Sequence, residues 1–255
     1  MNTVREIFEK LCEIAPLSLH LPYDNAGFLL GHGGAIVDKV LLCLDVTNEV
    51  VEEATEKGAQ LIVSHHPLIW DALKSVTDEE KKNEKLLRLI ENRIAVISMH
   101  TNLDIAQGGV NDVLISLLGA ANEGVFEEEG CGRKGRLAMS MPMQEFLIFC
   151  KEKLQTSGLR YHDAGRPVER LAVLGGTGGD ALEAAWSCGC DTFVTADVKY
   201  HVFLAAKELG INLIDGDHFC MENPVMSVLK DKLRAAFPDA EFVLSERHAQ
   251  TVRFF

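Results

Sequence analysis

Apolar positions recur with helical spacing at the start of the chain. Val4, Ile7, Phe8, Leu11 and Ile14 share one face of a helix over 4–14. Thr3 and Glu6 have the spacing of a capping box, and Pro16 ends the helix. Short apolar runs then alternate with helical stretches. Val40 to Leu44 predicts a buried strand, followed by a helix that Thr47 caps and Gly58 closes. Leu61 to Val63 predicts a second strand, 79–92 a charged helix and Ile94 to Ile97 a third strand. Val110, Val113, Leu114 and Leu117 mark another helix, stopped at Gly119. Residues 122–136 are rich in Gly and Glu, lack periodicity and read as a connection. Alternation of this kind predicts an α/β fold with mainly parallel sheets and crossover helices.

The pattern repeats. Lys39-Val40-Leu41-Leu42-Cys43-Leu44 matches Arg170-Leu171-Ala172-Val173-Leu174-Gly175 at an offset of 131 residues. At that offset Gly58 meets Gly189, and Leu61-Ile62-Val63-Ser64 meets Thr192-Phe193-Val194-Thr195. After a shorter crossover, Ile94-Ala95-Val96-Ile97 matches Ile211-Asn212-Leu213-Ile214. An unbroken offset across strand, helix and strand predicts two related α/β domains, 1–125 and 126–255.

Metal-ligating residue types gather at equivalent strand ends. The second strand ends in Ser64-His65-His66-Pro67, and the third runs into His100 and Asp104. In the second half the matching strand ends in Asp215-Gly216-Asp217-His218, with Glu222 four residues later. Ligands of open α/β sheets collect beyond the carboxyl ends of strands. Pro67 holds His66 extended, so both imidazoles can converge where the chain turns. If 218–222 is one helical turn, His218 and Glu222 share a face. His65, His66, Asp104, His218 and Glu222 thus form a nitrogen and oxygen donor set, expected between the two domains. It suits zinc, iron, manganese, cobalt or nickel without choosing among them. His100, His201 and Glu222 are candidates to move protons. Asp45 ends the first strand, and Asp24-Asn25 is either a turn or faces the site. The run Gly175-Gly176-Thr177-Gly178-Gly179 is either a tight turn or a weak anion cradle, without the P-loop Lys-Ser/Thr.

Composition narrows the partners. The formal charge of −13 repels nucleic acid and anionic membranes, so neither is an expected partner. Bound metal ions would still admit a small anionic substrate. The N-terminal region has no apolar signal core, and no apolar run is long enough to span a bilayer, so the expected compartment is the cytoplasm. The seven cysteines form no disulfide framework. Cys188 and Cys190 are expected to be small buried residues at a helix end.

Several segments together resemble a known family. They are Tyr23-Asp24-Asn25-Ala26-Gly27, Leu44-Asp45-Val46-Thr47, Ser64-His65-His66-Pro67, His100-Thr101-Asn102-Leu103-Asp104 and Gly109-Val110-Asn111-Asp112. Gly175-Gly176-Thr177-Gly178, Lys199-Tyr200-His201 and His218-Phe219-x-x-Glu222 complete the set. The chain resembles the NIF-three-like proteins, named GTP cyclohydrolase 1 type 2 homologues, over essentially its full length. It matches their short form, since 120–165 is too short for the inserted middle domain. The resemblance implies a toroidal homohexamer with metal sites facing an inner cavity, and two divalent metal ions in each subunit. By position, His65, His66, Asp104, His218 and Glu222 match the family's ligands. One departure is visible: Asp217 stands where the family usually has Gly.

Three functions follow as expectations. The first is a metal-dependent hydrolase of the GTP cyclohydrolase type, in which two ions acidify a shared water for attack on a purine ring. The second is a non-enzymatic metal-handling or regulatory protein. The third, a two-metal phosphoesterase, is the weakest, because Ser64 precedes His65-His66 where an Asp-His-His triplet would be needed.

Overall fold

The computed structural model describes residues 1–255, except for the side chain of Lys82. The chain opens with β1 (Asn2–Thr3) and α1 (Val4–Ile14). The capping box is complete: the Glu6 amide donates to Thr3 Oγ1 at 3.2 Å, and the Thr3 amide to the Glu6 carboxylate at 2.7 Å. Then come β2 (Gly27–Leu30), β3 (Ile36–Val37), β4 (Lys39–Cys43), α2 (Asn48–Glu56) and β5 (Leu61–Ser64). α3 (Lys81–Glu91), β6 (Ala95–Ser98) and α4 (Thr101–Ile105) follow. Next are α5 (Val110–Leu117), β7 (Ala120–Val125), β8 (Arg133–Met141), α6 (Met143–Leu154), β9 (Arg160–His162) and β10 (Val168–Thr177). The chain continues through α7 (Leu182–Ser187), β11 (Thr192–Ala196), α8 (Tyr200–Leu209), β12 (Asn212–Asp215) and α9 (His218–Glu222). α10 (Pro224–Ala236) and β13 (Glu241–Leu244) complete it. Among the described residues, no helix is long and apolar enough to cross a membrane.

The α/β chain divides into two compact units, Met1–Ala106 with Met226–Ala249, and Gln107–Val225 with Gln250–Phe255. The division thus differs from the expected 125/126 boundary. α5 and β7 belong with the second unit, because β7 pairs with β8 and Leu114 and Ile115 of α5 enter the core formed with Leu171 and Val173. The late strand β13 returns to the first unit, where it lies parallel to β4.

The first unit holds a five-stranded sheet in the order β13-β4-β5-β6-β2, parallel except for β2. β5 and β6 are buried along their whole length, as strands covered on both faces must be. One face packs Leu41, Ile62 and Val96 against Val50, Val51 and Ala54 of α2 and Leu89 of α3. Thr47 accepts the Val50 amide at the start of α2, and Gly58 ends it in the left-handed region at φ +66°.

The second unit holds a six-stranded sheet, β7-β8-β10-β11-β12-β9, whose centre β10-β11-β12 is parallel. Alternate residues serve opposite faces: Leu171 and Val173 meet α5 and α6, while Ala172 and Phe193 meet α7 and α8. The segment 122–136 is not a plain connection; it forms most of β7 and the start of β8. Its period-two signal is masked by two residues. Arg133 is buried at an inward position, its guanidinium donating to Asp112 and to the Gly130 and Cys131 carbonyls. Gly135 is required because a Cβ there would lie 2.3 Å from the Ala121 carbonyl oxygen.

The repeat holds in the strand registers. Val40 pairs with Leu61 and Leu61 with Ala95; their matched residues pair likewise, Leu171 with Thr192 and Thr192 with Asn212. Each third parallel strand carries an antiparallel edge strand, β2 on β6 and β9 on β12. Each also runs into a five-residue helix, α4 or α9.

Candidate metal centre

In the first unit, the ladder between β4 and β5 continues past the strand ends. The His65 amide donates to the Cys43 carbonyl at 3.3 Å, and the His66 amide to the Leu44 carbonyl at 2.9 Å. Ser64 Oγ donates to the His66 carbonyl and lies 2.8 Å from Ser98 Oγ, which ties the turn to β6. The rings of His65, His66 and His100 then converge, with centroids 5.0 to 5.6 Å apart. One nitrogen from each lies within 4.8 Å of the others.

Each of these imidazoles is held by an acceptor at Nδ1. His65, fully buried, has Nδ1 2.8 Å from the Met99 carbonyl. His66 has Nδ1 2.6 Å from Asp45 Oδ1, and His100 has Nδ1 2.8 Å from Asp24 Oδ1. A carbonyl or an ionised carboxylate can only accept, so Nδ1 carries the proton and Nε2 presents its lone pair. This is how metal-binding histidines are oriented and made more basic. Asp104, on α4, brings Oδ1 to 3.6 Å from His65 Nε2.

The carboxylates behind the histidines are anionic at neutral pH. Burial pushes Asp24 up, but hydrogen bonds from His100 and from the Thr101 hydroxyl and amide outweigh it and hold the group at about 2. Asp45 is likewise raised by burial, and more strongly lowered by hydrogen bonds from His248 and His66. Its second oxygen lies 3.1 Å from His248 Nε2, so one carboxylate serves two imidazoles.

In the second unit, β12 ends at Asp215 and the chain turns into α9. Asp217 adopts φ +72°, and its carboxylate accepts the Cys220 amide as the helix cap. Left-handed backbone favours glycine, which accounts for the Gly that the family resemblance leads one to expect there. The Asp217 carboxylate is occupied as the cap and by the side-chain amide of Gln250. On α9, His218 Nε2 lies 3.0 Å from Glu222 Oε2, as the i, i+4 spacing requires. His218 Nδ1 lies 2.8 Å from Asp197 Oδ2, which also accepts the Thr177 hydroxyl. Burial raises the Asp197 carboxyl, yet these bonds lower it overall.

The glycine run belongs to Glu222 rather than to a phosphate. A Cβ on Gly176 would lie 2.5 Å from Glu222 Oε1, and one on Gly175 would lie 3.3 Å from its Cγ. The Gly175 and Gly178 amides already donate to Asn111 Oδ1 and Thr195 Oγ1, at 2.7 and 3.0 Å. An anion cradle needs such amides facing the ligand, and these face the protein.

The donor chemistry fits a divalent metal. Two ligands held about 2.1 Å from one ion sit about 3.0 Å apart at right angles and about 3.4 Å apart at the tetrahedral angle. The 3.0 Å and 3.6 Å separations within the two donor pairs lie close to these values. The first unit thus carries a histidine group that could hold a metal ion, and the second carries a His–Glu pair of the same donor types.

Other expectations fall differently. His201 is exposed near the start of α8 and stands outside the histidine–carboxylate pairs. Cys188 is exposed, with Sγ 3.4 Å from the Phe126 carbonyl, because it caps the last turn of α7; Cys190 is buried as expected. Asp197 and His248 escaped the sequence reading. Asp197 had a usable signal, since the offset of 131 places it opposite His66. His248 had none, because its partner Asp45 lies 203 residues earlier.

Comparison with known proteins agrees with the fold. The family profile for Duf34/NIF3 (NGG1p interacting factor 3) matches residues 2–250. A Clostridium perfringens protein named GTP cyclohydrolase 1 type 2 homolog is 34% identical over 263 residues, covering 100% of this chain and 99% of that protein. A Clostridium acetobutylicum protein of the same name is 34% identical over 241 residues, covering 91% of this chain and 90% of its own length. The fold matches the crystal structure of a Bacillus cereus protein related to NIF3 with a TM-score of 0.90 at 23% identity, covering 100% of this chain and 99% of that one. With a profile match that spans nearly every residue and relatives aligned end to end, the chain belongs to the DUF34/NIF3 family.

Proposed function

We propose that this chain holds two divalent metal ions per subunit and acts as a metal-dependent hydrolase on a nucleotide. By the family resemblance, the ligands of that centre would be His65, His66, Asp104, His218 and Glu222. The observation that carries this reading is the uniform anchoring of Nδ1: His65, His66 and His218 each meet an acceptor there and present Nε2. Structural histidines have no common reason to be held this way; metal ligands do. The hydrolase class comes from the relatives named GTP cyclohydrolase 1 type 2 homolog.

Divalent ions held there would supply Lewis acidity and a water acidified toward neutral pH. The chain's own residues do the rest. Asp45, Asp24 and Asp197 keep three imidazoles in one tautomer and orientation. Glu222, held under Gly176, and His100, backed by Asp24, are placed by this reading to take up and release protons. His201 is the more distant candidate for that role. The same reading includes a cytoplasmic homohexamer, which light scattering on the purified protein tests directly.

The deciding experiment is elemental mass spectrometry on protein purified without added metal. The wild type is run beside His65→Ala/His66→Ala and Glu222→Ala, followed by a nucleotide hydrolysis screen. Close to two ions per subunit, a sharp drop in both variants and metal-dependent turnover are expected. Absence of metal after incubation with zinc, manganese and iron would overturn the reading. Bound, exchangeable metal without turnover would favour a metal-handling role instead.

A further inference from the structure

Two large aromatic side chains stand in solvent beside the histidine cluster of the first unit. Tyr23 is 63% exposed and Trp70 is 50% exposed. Their ring centroids are 6.5 Å apart with planes tilted by 48°. Trp70 in turn meets His100 edge to face, at 5.5 Å and 83°. The indole thus bridges from a histidine of the donor cluster to an exposed phenol.

This arrangement is built from two segments fastened together. Asn25 Nδ2 donates to the Ile69 carbonyl at 2.7 Å, which joins the Tyr23-Asp24-Asn25 turn to the chain leading into Trp70. Asp24 is bound to His100 and Thr101, so the turn is also fixed to the start of α4. Asp24 beside Tyr23 and Ile69 beside Trp70 are thus fixed, while the two aromatic side chains are themselves at least half exposed. Isolated exposed aromatics need no explanation, but a pair clamped at the rim of a metal-type donor cluster does.

The geometry points to a ligand class. Tyr23 and Trp70 touch one another at a tilt, so together they offer a continuous exposed aromatic surface on which a planar ring can stack. Neutral aromatic faces also attract a ligand without cationic side chains, which matters in a chain of net charge −13. A flat, polar heteroaromatic ring gains by stacking on such a surface; an aliphatic chain would call for an enclosed apolar pocket instead.

We propose that Tyr23 and Trp70 form a stacking platform for a purine base at the rim of the His65, His66 and His100 cluster. The proposal deepens the nucleotide-hydrolase reading and rests on it for the nature of the substrate. It assigns base recognition to two residues outside the metal donor set.

Guanosine is the probe, because it carries the base without phosphates. In a Trp186→Phe background the emission comes from Trp70 alone, the chain having two tryptophans. Guanosine is titrated into metal-loaded and metal-stripped protein, and affinities are measured in parallel by equilibrium dialysis. Saturable quenching is expected in both forms. Trp70→Leu should weaken guanosine binding at least about fivefold, the low end for one base–aromatic contact, with Tyr23→Leu weakening it less. Metal content and melting temperature should stay at wild-type values in both. No saturable guanosine binding by metal-loaded protein, or unchanged affinity in both leucine variants, would overturn the proposal. Protein that takes up no metal yet binds guanosine through Trp70 would sink the metal reading and leave the platform standing. Protein that holds two ions and ignores guanosine would do the reverse.

Discussion

A Cβ placed on Gly176 would lie 2.5 Å from Oε1 of Glu222, so the glycine makes the space in which this buried carboxylate sits. The same residue has φ +70°, where a side chain is strained in any case. Gly176→Ala should therefore do two things: lower stability by about 1 kcal/mol through the backbone, and displace Glu222. Gly58→Ala is the control, because Gly58 has φ +66° and open space around its missing Cβ. Calorimetry should show similar melting losses for both. Elemental analysis should show metal loss for Gly176→Ala alone.

Asp45 holds His66 by Nδ1, and its other oxygen meets His248. Removing such a carboxylate behind a ligating histidine typically weakens metal binding about 10- to 100-fold. Asp45→Ala should show that loss in a competition titration against a chelator. Asp45→Asn, whose carbonyl oxygen still accepts from Nδ1, should recover much of it. Equal losses in the two variants would mean that charge, not orientation, is what Asp45 contributes.

Asp217 combines a left-handed backbone with a helix cap. Asp217→Gly relieves the strain and loses the cap, two effects of about 1 kcal/mol each with opposite sign. Asp217→Ala keeps the strain and loses the cap. The alanine variant should thus be the less stable of the two, by roughly 1 kcal/mol, in denaturant unfolding. A glycine variant as damaged as alanine would show that the left-handed backbone at this position carries no strain for glycine to relieve.

Glu53 is a buried carboxylate on α2 that gathers the chain after β13. Burial alone would raise it. Hydrogen bonds from the Glu246 amide, Lys57, Ser245 and the Arg247 amide outweigh burial and bring it to about 2, against 4.5 for a free glutamate. A folded value below the unfolded one means that the stabilisation is fully present above about pH 4.5. It fades as pH falls from there toward 2. Glu53→Gln should cost on the order of 2 kcal/mol near neutrality, and the gap between variant and wild type should narrow below pH 4.5. Melting curves at stepped pH check the sign: a gap that widens on acidification would refute it.

The parallel strands were legible because burial on both faces leaves continuous apolar runs, as in Val40 to Leu44 and Leu61 to Val63. The donors were legible because β5, β6 and β12 each end just before them. The β7–β8 hairpin was not, since Arg133 and Gly135 occupy positions where an apolar alternation would have shown it. Nor were the partners of the donors. Asp45 with His248 and Asp24 with His100 depend on contacts between distant stretches, and a local pattern carries no trace of them. Asp24 fits a turn equally well by sequence, and only its bonds with His100 and Thr101 distinguish its role.

The pairing of β13 with β4 sets an order of events during synthesis on the ribosome. β4, β5 and β6 emerge together, yet the strand that covers the edge of β4 follows only after β12 and α10. Until then that edge offers bare amides and carbonyls to any passing strand. Gln107–Val225 of the second unit must be translated in the interval. A message truncated after α9 would yield a first unit lacking both its edge strand and His248. Completion of the first unit therefore reports that Gln107–Val225 has already been made.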